Sequence, residues 1–442
     1  MKHFQGTTSP KICGAEIPAK VYHWYRREIR LFCQPREYGL VNVIMPNIKI
    51  LLAACFDMRY SARMLFAVKY LNKKGYSIDL ITQDKNNRNL SDFENVTIIN
   101  TWEKGTFPED SDNPNRIFRI AANIFNKLLN RLVQIKILSP NDSELQRRVY
   151  LLKENYDLIW AVNLDSMPSV INGAEGTKIP VVYETLDLVA EYPYDKKLQE
   201  QRRNFEREYL SKVSALITAG NEYARYYREQ YSYGLPITIV HNFAPVVQNI
   251  SYPNPRCIKF LFFGNITFDR PIDKLIEIFS GLAGSHTLTI MGVNRLGDAP
   301  EKIIKELGLD KRVKIIPPVS PLDGSHEASE YDVGIAMLDG NDLNERLAPT
   351  AKLGTYLAAG LAIVATNLPG MREELREVKA LYADAGNIDS WKNVLNQLVH
   401  LPESEIIEMK KSSSSFAQKY PLEKELAKYS DIFEQLIGPR SV

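Results

Sequence analysis

Residues 349–375, PTAKLGTYLAAGLAIVATNLPGMREEL, run a helix, a Gly turn, a short buried strand and a Pro-Gly turn opening another helix end to end. Apolar strands set between helices belong to layered α/β folds with parallel strands and right-handed crossovers. Lys352 falls at the start of the first of these helices. The first N–H groups of a helix lack intrahelical partners and the macrodipole is positive there, so that end attracts anions. A lysine in the same place adds a full charge, and the combination suits a diphosphate. The plainer alternative is an ordinary helix–strand–helix unit with a surface lysine.

The alternation runs through most of the chain. NIKILLAACF reads as a buried strand, and SARMLFAVKYLNKKG as a helix with Met64, Leu65, Val68 and Leu71 on one face and Gly75 as its stop. YSIDLIT, VTIIN, DLIWAV (157–162), IPVVYET (179–185), SALITAG and PITIVHN follow as strands. QRRNFEREYLSKV and NEYARYYREQY lie among them as helices. FAPVVQNISYPNPR (243–256) is rich in Pro and Asn without helical spacing and reads as a linker. Beyond it, CIKFLFFGN, HTLTIMG, RVKIIPPV, YDVGIAML and AIVAT are strands of a second set, and EKELAKYSDIFEQLI closes the chain as a helix. The expected fold is α/β, with two doubly wound Rossmann-like domains facing across a cleft. The expected divisions are an extension of open role at 1–46, a first domain at 47–245, a second at 246–415 and a closing helical segment at 416–442 that packs back toward the first domain.

Length and composition set the outer limits. A chain of 442 residues exceeds the size of a single core, roughly 250–300 residues. The formal net charge of +2 supplies no global field for nucleic acid. Four scattered cysteines without a CxxC pair fit a reducing compartment and argue against a disulfide framework or a metal site. The start, MKHFQGTTSPKICGAEIPAK, has no apolar leader segment. No apolar run approaches the roughly 20 residues of a spanning helix.

In open α/β sheets ligands bind beyond the carboxyl ends of the strands. Four segments of the second domain end there. Gly264 permits close backbone approach, with Asn265 beside it and Arg270 just before the next helix. Gly292 makes a second turn. Pro317, Pro318 and Val319 could edge a flat base with their backbone, and Lys352 opens the fourth segment. One Arg, one Lys and a helix N-terminus converging on a point would stabilise a departing pyrophosphate. In the first domain, Asp165, Asp187 and Glu191 lie near strand ends, where they could face an acceptor hydroxyl or simply cap helices. Asp110 and Asp112 sit in the polar loop FPEDSDNPN and read as solvated, and the six histidines show no ligand spacing.

Several segments, in the right order, resemble the GT-B-type glycosyltransferases of the large retaining family 4. Residues 349–366 are similar to that family's PTKLGEYLAAGLPVVAT. GNITFDR at 264–270 is similar to its strand–G-R–loop–K–helix, VYETLDLVAE at 182–191 to VYDAHELFTE, and NLDSMP at 163–168 to DLDTLP. The resemblance covers about 48 to 440. It implies a nucleotide diphosphate sugar as co-substrate in the second domain, an acceptor in the first, retention of anomeric configuration and no required metal. Carried over, Arg270, Lys352 and Asp187 would act at the reacting centre. Gly264, Asn265, Gly292, Pro318, Val319, Leu347 and Thr355 would line the donor, and Arg63, Asp165 and Glu191 the acceptor side. The chain departs from the pattern at several positions. Thr355 stands at the second and Leu347 at the first position of the family's Glu-x7-Glu pair, with Glu345 near but out of register. Asn265 replaces its G-R arginine, Leu186 its histidine and Asp187 the glutamate that follows. A threonine cannot accept two ribose hydroxyls as a carboxylate does.

Residues 113–141 hold Arg116, Arg119, Lys127, Arg131 and Lys136 and no acid, with Ile117, Ile120, Ile124, Leu128, Leu132 and Ile135 at helical spacing. A basic amphipathic helix over 116–138 either lies on an anionic membrane surface or covers the first domain's sheet. The resulting expectation is a hexosyltransferase of polysaccharide biosynthesis acting on a glycan or lipid-linked glycan. It would be cytoplasmic, peripheral on the inner membrane face if the helix binds lipid, and without nucleic-acid partners. The alternatives are a degenerate scaffold of the same fold that binds a glycan or a partner enzyme, and another enzyme of that fold such as a nucleotide-sugar epimerase.

Overall fold

The computed structural model describes residues 11–12, 15–16, 48–54, 61–82, 96–100, 156–193, 195–248, 257–268 and 270–438. The chain divides into two units at Met45/Pro46. In the first unit Lys11–Ile12 pairs antiparallel with Ala15–Glu16. The second unit carries two parallel sheets, each the centre of a lobe. The basic segment 116–138 and the loop holding Asp110 and Asp112 lie outside the described residues.

The first lobe runs β1 (Lys49–Ala54), α1 (Ala62–Lys73), β2 (Ser77–Thr82), β3 (Val96–Asn100), β4 (Leu158–Val162), α2 (Met167–Gly173), β5 (Val181–Thr185), α3 (Lys196–Leu210), β6 (Ala215–Thr218), α4 (Asn221–Tyr231) and β7 (Ile237–Ile239). Its strands lie in the order β3-β2-β1-β4-β5-β6-β7, all parallel. Fully buried strands such as β4 (LIWAV) read as continuous apolar runs because helices cover both faces. α1 turns Met64, Leu65, Val68 and Leu71 inward. It stops at Gly75, whose φ of 87° lets its N–H reach Asn72 and lets the Tyr76 N–H reach Leu71, the paired bonds of a Schellman end.

The second lobe repeats the plan with β8 (Lys259–Phe263), α5 (Ile272–Ser280), β9 (Thr287–Met291), α6 (Ala299–Glu306), β10 (Val313–Ile316), α7 (Gly324–Ala328), β11 (Val333–Ala336), α8 (Leu343–Leu347), α9 (Ala351–Ala358), β12 (Ala362–Thr366), α10 (Pro369–Glu374), β13 (Ala380–Ala383), α11 (Ile388–Val399), α12 (Glu403–Lys419) and α13 (Leu422–Ile437). Its strand order is β10-β9-β8-β11-β12-β13, again all parallel. In both sheets the order reverses beside the first strand of the lobe, the place where doubly wound folds bind ligands. The α/β expectation and its strands hold. Sequence pattern did not single out β13, four residues at a sheet edge without alternation, nor α12.

α12 packs on α9 and β12 of the second lobe, whereas α13 crosses back to α1. There Leu422, Leu426, Tyr429, Ile432 and Phe433 join the first-lobe core around Trp160. The Tyr429 hydroxyl donates to Glu184 at 2.7 Å.

Candidate active site

The second lobe builds its site from two glycine turns and a helix start. Gly264 leaves β8 with φ 144°, a conformation closed to L side chains, and its N–H donates to Met291 O. A Cβ on Gly292 would lie 1.7 Å from Gly264 O, so the turns after β8 and β9 touch through bare backbone. Lys352 is the second residue of α9 and only 9% exposed. Its Nζ stands 4.3 Å from the centre of the Phe262 ring, which faces the cation with its negative π-cloud. A Cβ on Gly264 would meet Lys352 Cε at 3.7 Å and Nζ at 3.9 Å. The fold therefore brings Gly264, Gly292 and Lys352 together at the carboxyl ends of the central strands.

Arg270 belongs to a second group that spans both lobes. Its Nη1 donates to Glu345 Oε1 at 3.2 Å. Glu345 is buried, and its other oxygen accepts from the Gly340 and Asn341 N–H groups at 3.0 and 3.1 Å. Asp342 caps α8 by accepting from the Glu345 N–H at 2.7 Å. From the first lobe, Asp187 faces this group. Burial raises the pKa of its carboxyl, while the Asn344 amide, the Arg270 charge and Tyr192 pull it back down. Asn344 also accepts from the Leu188 N–H at 2.8 Å and from the Tyr223 hydroxyl at 2.6 Å, which pins α8 to the first lobe.

The remaining candidates fall elsewhere. Asn265 and Pro318 are exposed, and Val319 packs on the second-lobe core. Thr355 is half-buried, its methyl 3.8 Å from where a Cβ on Gly324 would stand, with Phe263 lining the same spot. Leu347 packs on the first-lobe cluster with Leu343 and Ala348. Arg63 is buried, and its guanidinium donates to Glu184, Val240 O, Asn242 Oδ1 and Thr218 O. Asp165 pairs with Arg202 at the surface, 3.2 Å apart. Burial alone would raise the pKa of Glu191, but a two-pronged bond from Arg203 and the Tyr226 hydroxyl hold it below the usual range. Among the described residues no group of three His, Cys, Asp or Glu could hold a metal ion, and no helix is long and apolar enough to cross a membrane.

Asn344 escaped sequence reasoning, since its partners are distant in the chain; Asn242 was legible as the end of PITIVHN, but its bond to Pro349 was not. The Asp342-x-x-Glu345 spacing is a helix-start signal and could have placed α8.

Two doubly wound parallel lobes, bridged by a returning terminal helix, form the GT-B architecture. Neither a family model nor a curated protein sequence matches the chain. Solved structures do. The chain is similar to sucrose-phosphate synthase from Thermosynechococcus elongatus, with a TM-score of 0.65, 14% identity and coverage of 88% of this chain and 99% of the synthase. It is similar to HepE of Anabaena, solved with UDP and glucose, at a TM-score of 0.63 and 12% identity over 88% of this chain and 100% of HepE. It is also similar to the lipopolysaccharide outer core galactosyltransferase WaaB, at 0.56 and 13% over 88% and 100%.

Proposed function

We propose that this chain is a glycosyltransferase that moves a hexose from a nucleoside diphosphate sugar to a glycan or lipid-linked glycan in polysaccharide assembly, with retention of configuration. The observation that carries the reading is the buried Lys352 ammonium beside the positive-φ Gly264 turn at the head of α9. A cation, a helix N-terminus and approachable backbone together stabilise a diphosphate both bound and departing. HepE, of the same fold, was solved with UDP and glucose, which supports the same ligand class here.

In this reading the bond from the anomeric carbon to the diphosphate oxygen breaks while the acceptor oxygen bonds to that carbon from the same face. The acceptor proton passes to the leaving diphosphate. Lys352 takes up the developing charge and Arg270 adds to it, so no metal is needed. Asp187, raised by burial and facing Arg270, orients the acceptor hydroxyl. The enzyme works in the cytoplasm, and the basic segment 116–138 would bring it to an anionic membrane surface. One feature favours a second reading, a non-catalytic scaffold. Thr355 offers a methyl beside Gly324 where the resemblance places a ribose-binding carboxylate.

Thermal shift against UDP, GDP, ADP and CMP separates the two readings. The transferase reading expects one diphosphate to raise Tm and Lys352→Ala to weaken it about ten- to a hundredfold, the worth of a charged hydrogen bond. No shift with any of them at millimolar concentration leaves the scaffold.

A further inference from the structure

We infer that Asn242 is a positioning residue that sets the start of α9, and with it Lys352, according to where the first lobe stands. The inference rests on the donor-site reading above.

Asn242 lies where the chain leaves the first lobe after β7. Its side-chain Nδ2 donates to Pro349 O at 2.7 Å. Its Oδ1 accepts from Arg63 Nη1 at 3.4 Å. A guanidinium only donates and a carbonyl only accepts, so the amide has one orientation that serves both. Arg63 is itself fixed by Glu184, Thr218 O and Val240 O, all in the first lobe. Pro349 is wedged on its other side, since a Cβ on Gly220 at the head of α4 would meet it at 2.8 Å. The backbone of Asn242 also touches α9 directly. A Cβ on Gly354 would lie 1.7 Å from Asn242 O, so nothing but glycine lets the first turn of the helix rest there. Only Thr350 and Ala351 separate Pro349 from Lys352. The lysine's approach to Gly264 is therefore referred, through one amide, to a buried arginine of the other lobe. A rotation between lobes that breaks the Asn242–Pro349 bond frees the turn that carries the ammonium.

Asn242→Asp tests this. The carboxylate keeps the bond to Arg63 but turns an oxygen toward Pro349 O, so the donor is lost without a change of size. Asn221→Ala is the control. It removes a different interlobe bond, Asn221 Nδ2 to Glu373 Oε1 at 2.8 Å, and leaves both bonds of Asn242 in place. Two readouts are taken on the full chain. In titration calorimetry with UDP, Asn242→Asp should weaken binding about tenfold, Asn221→Ala should leave it unchanged, and Lys352→Ala should cost much less in the Asn242→Asp background than in wild type. In hydrogen exchange without ligand, peptides over 350–358 should exchange faster in Asn242→Asp than in Asn221→Ala. Unchanged exchange over 350–358 in Asn242→Asp overturns the inference, as do additive effects of Asn242→Asp and Lys352→Ala on UDP. If wild type binds neither UDP nor another nucleoside diphosphate, the donor-site reading fails, and the exchange result still decides whether Asn242 positions the turn.

Discussion

Lys410 shows what a single buried charge does to this fold. It is 1% exposed on α12, donates to Tyr331 O at 3.1 Å and stands 3.8 Å from Asp332. Burial pushes its ammonium down to about 8, with Asp332 opposing and Lys259 assisting. An unfolded lysine keeps its proton to about 10.4. Between those values the unfolded chain binds more protons than the folded one, so this residue makes stability rise with pH from about 8 upward. The rise ends near pH 10, where the buried Tyr183, Tyr227 and Tyr429, pushed well above their ordinary range, work in the opposite direction. Between pH 8 and pH 10 this group should contribute roughly 2 kcal/mol, read as the difference in urea-unfolding pH dependence between wild type and Lys410→Met, which share the tyrosines. The same pH dependence in both proteins would contradict it.

Among the elements, α13 reaches across to the first lobe through Tyr429. Glu184 lies fully buried on β5 and accepts from Arg63 Nε at 2.6 Å, Trp160 Nε1 at 2.9 Å and the Tyr429 hydroxyl at 2.7 Å. Tyr429→Phe keeps the ring against Trp160 but leaves that carboxylate one donor short. It should cost about 1–3 kcal/mol, read as a lower denaturant midpoint at unchanged slope. A midpoint equal to wild type would mean that the hydroxyl contributes nothing. Elements were the readable part of this chain. Buried strands such as β4 and β12 announce themselves as short apolar runs, and α1 carries its own apolar stripe and glycine stop. The partners of the candidate site residues were not readable. Arg63 and Glu184 are 121 residues apart, and Asn242 and Pro349 are 107 apart, so only the folded sheets reveal that they meet. Lys352 and Gly264 were legible as separate helix-start and turn signals, because each depends on local backbone chemistry. The pairing of Arg270 with Glu345 was not, since the two sit 75 residues apart.

At the scale of the molecule, Asn344 is a meeting point of the lobes. It contacts Leu188, Tyr223 and Asp187, while Asn221 with Glu373, His241 with Glu374 and Asn242 with Pro349 add further bonds. Asn344→Ala leaves the buried Tyr223 hydroxyl and the Leu188 N–H without their acceptor. A loss of about 1–3 kcal/mol is expected, together with a larger radius of gyration by X-ray scattering as the lobes part more often. An unchanged scattering curve would show that the other interlobe contacts suffice to hold the arrangement.

The crossing of α13 bears on how the chain is made. On a ribosome the first lobe emerges complete in sequence by about residue 248, long before Leu422–Ile437. Its core face around Trp160, with the Glu184 carboxylate and Arg63 beneath, then lacks its α13 contacts while the whole second lobe is synthesised. Domains of most chains fold in the order in which they leave the tunnel. Here the lobe that is made first completes part of its core with a helix made only after the second lobe.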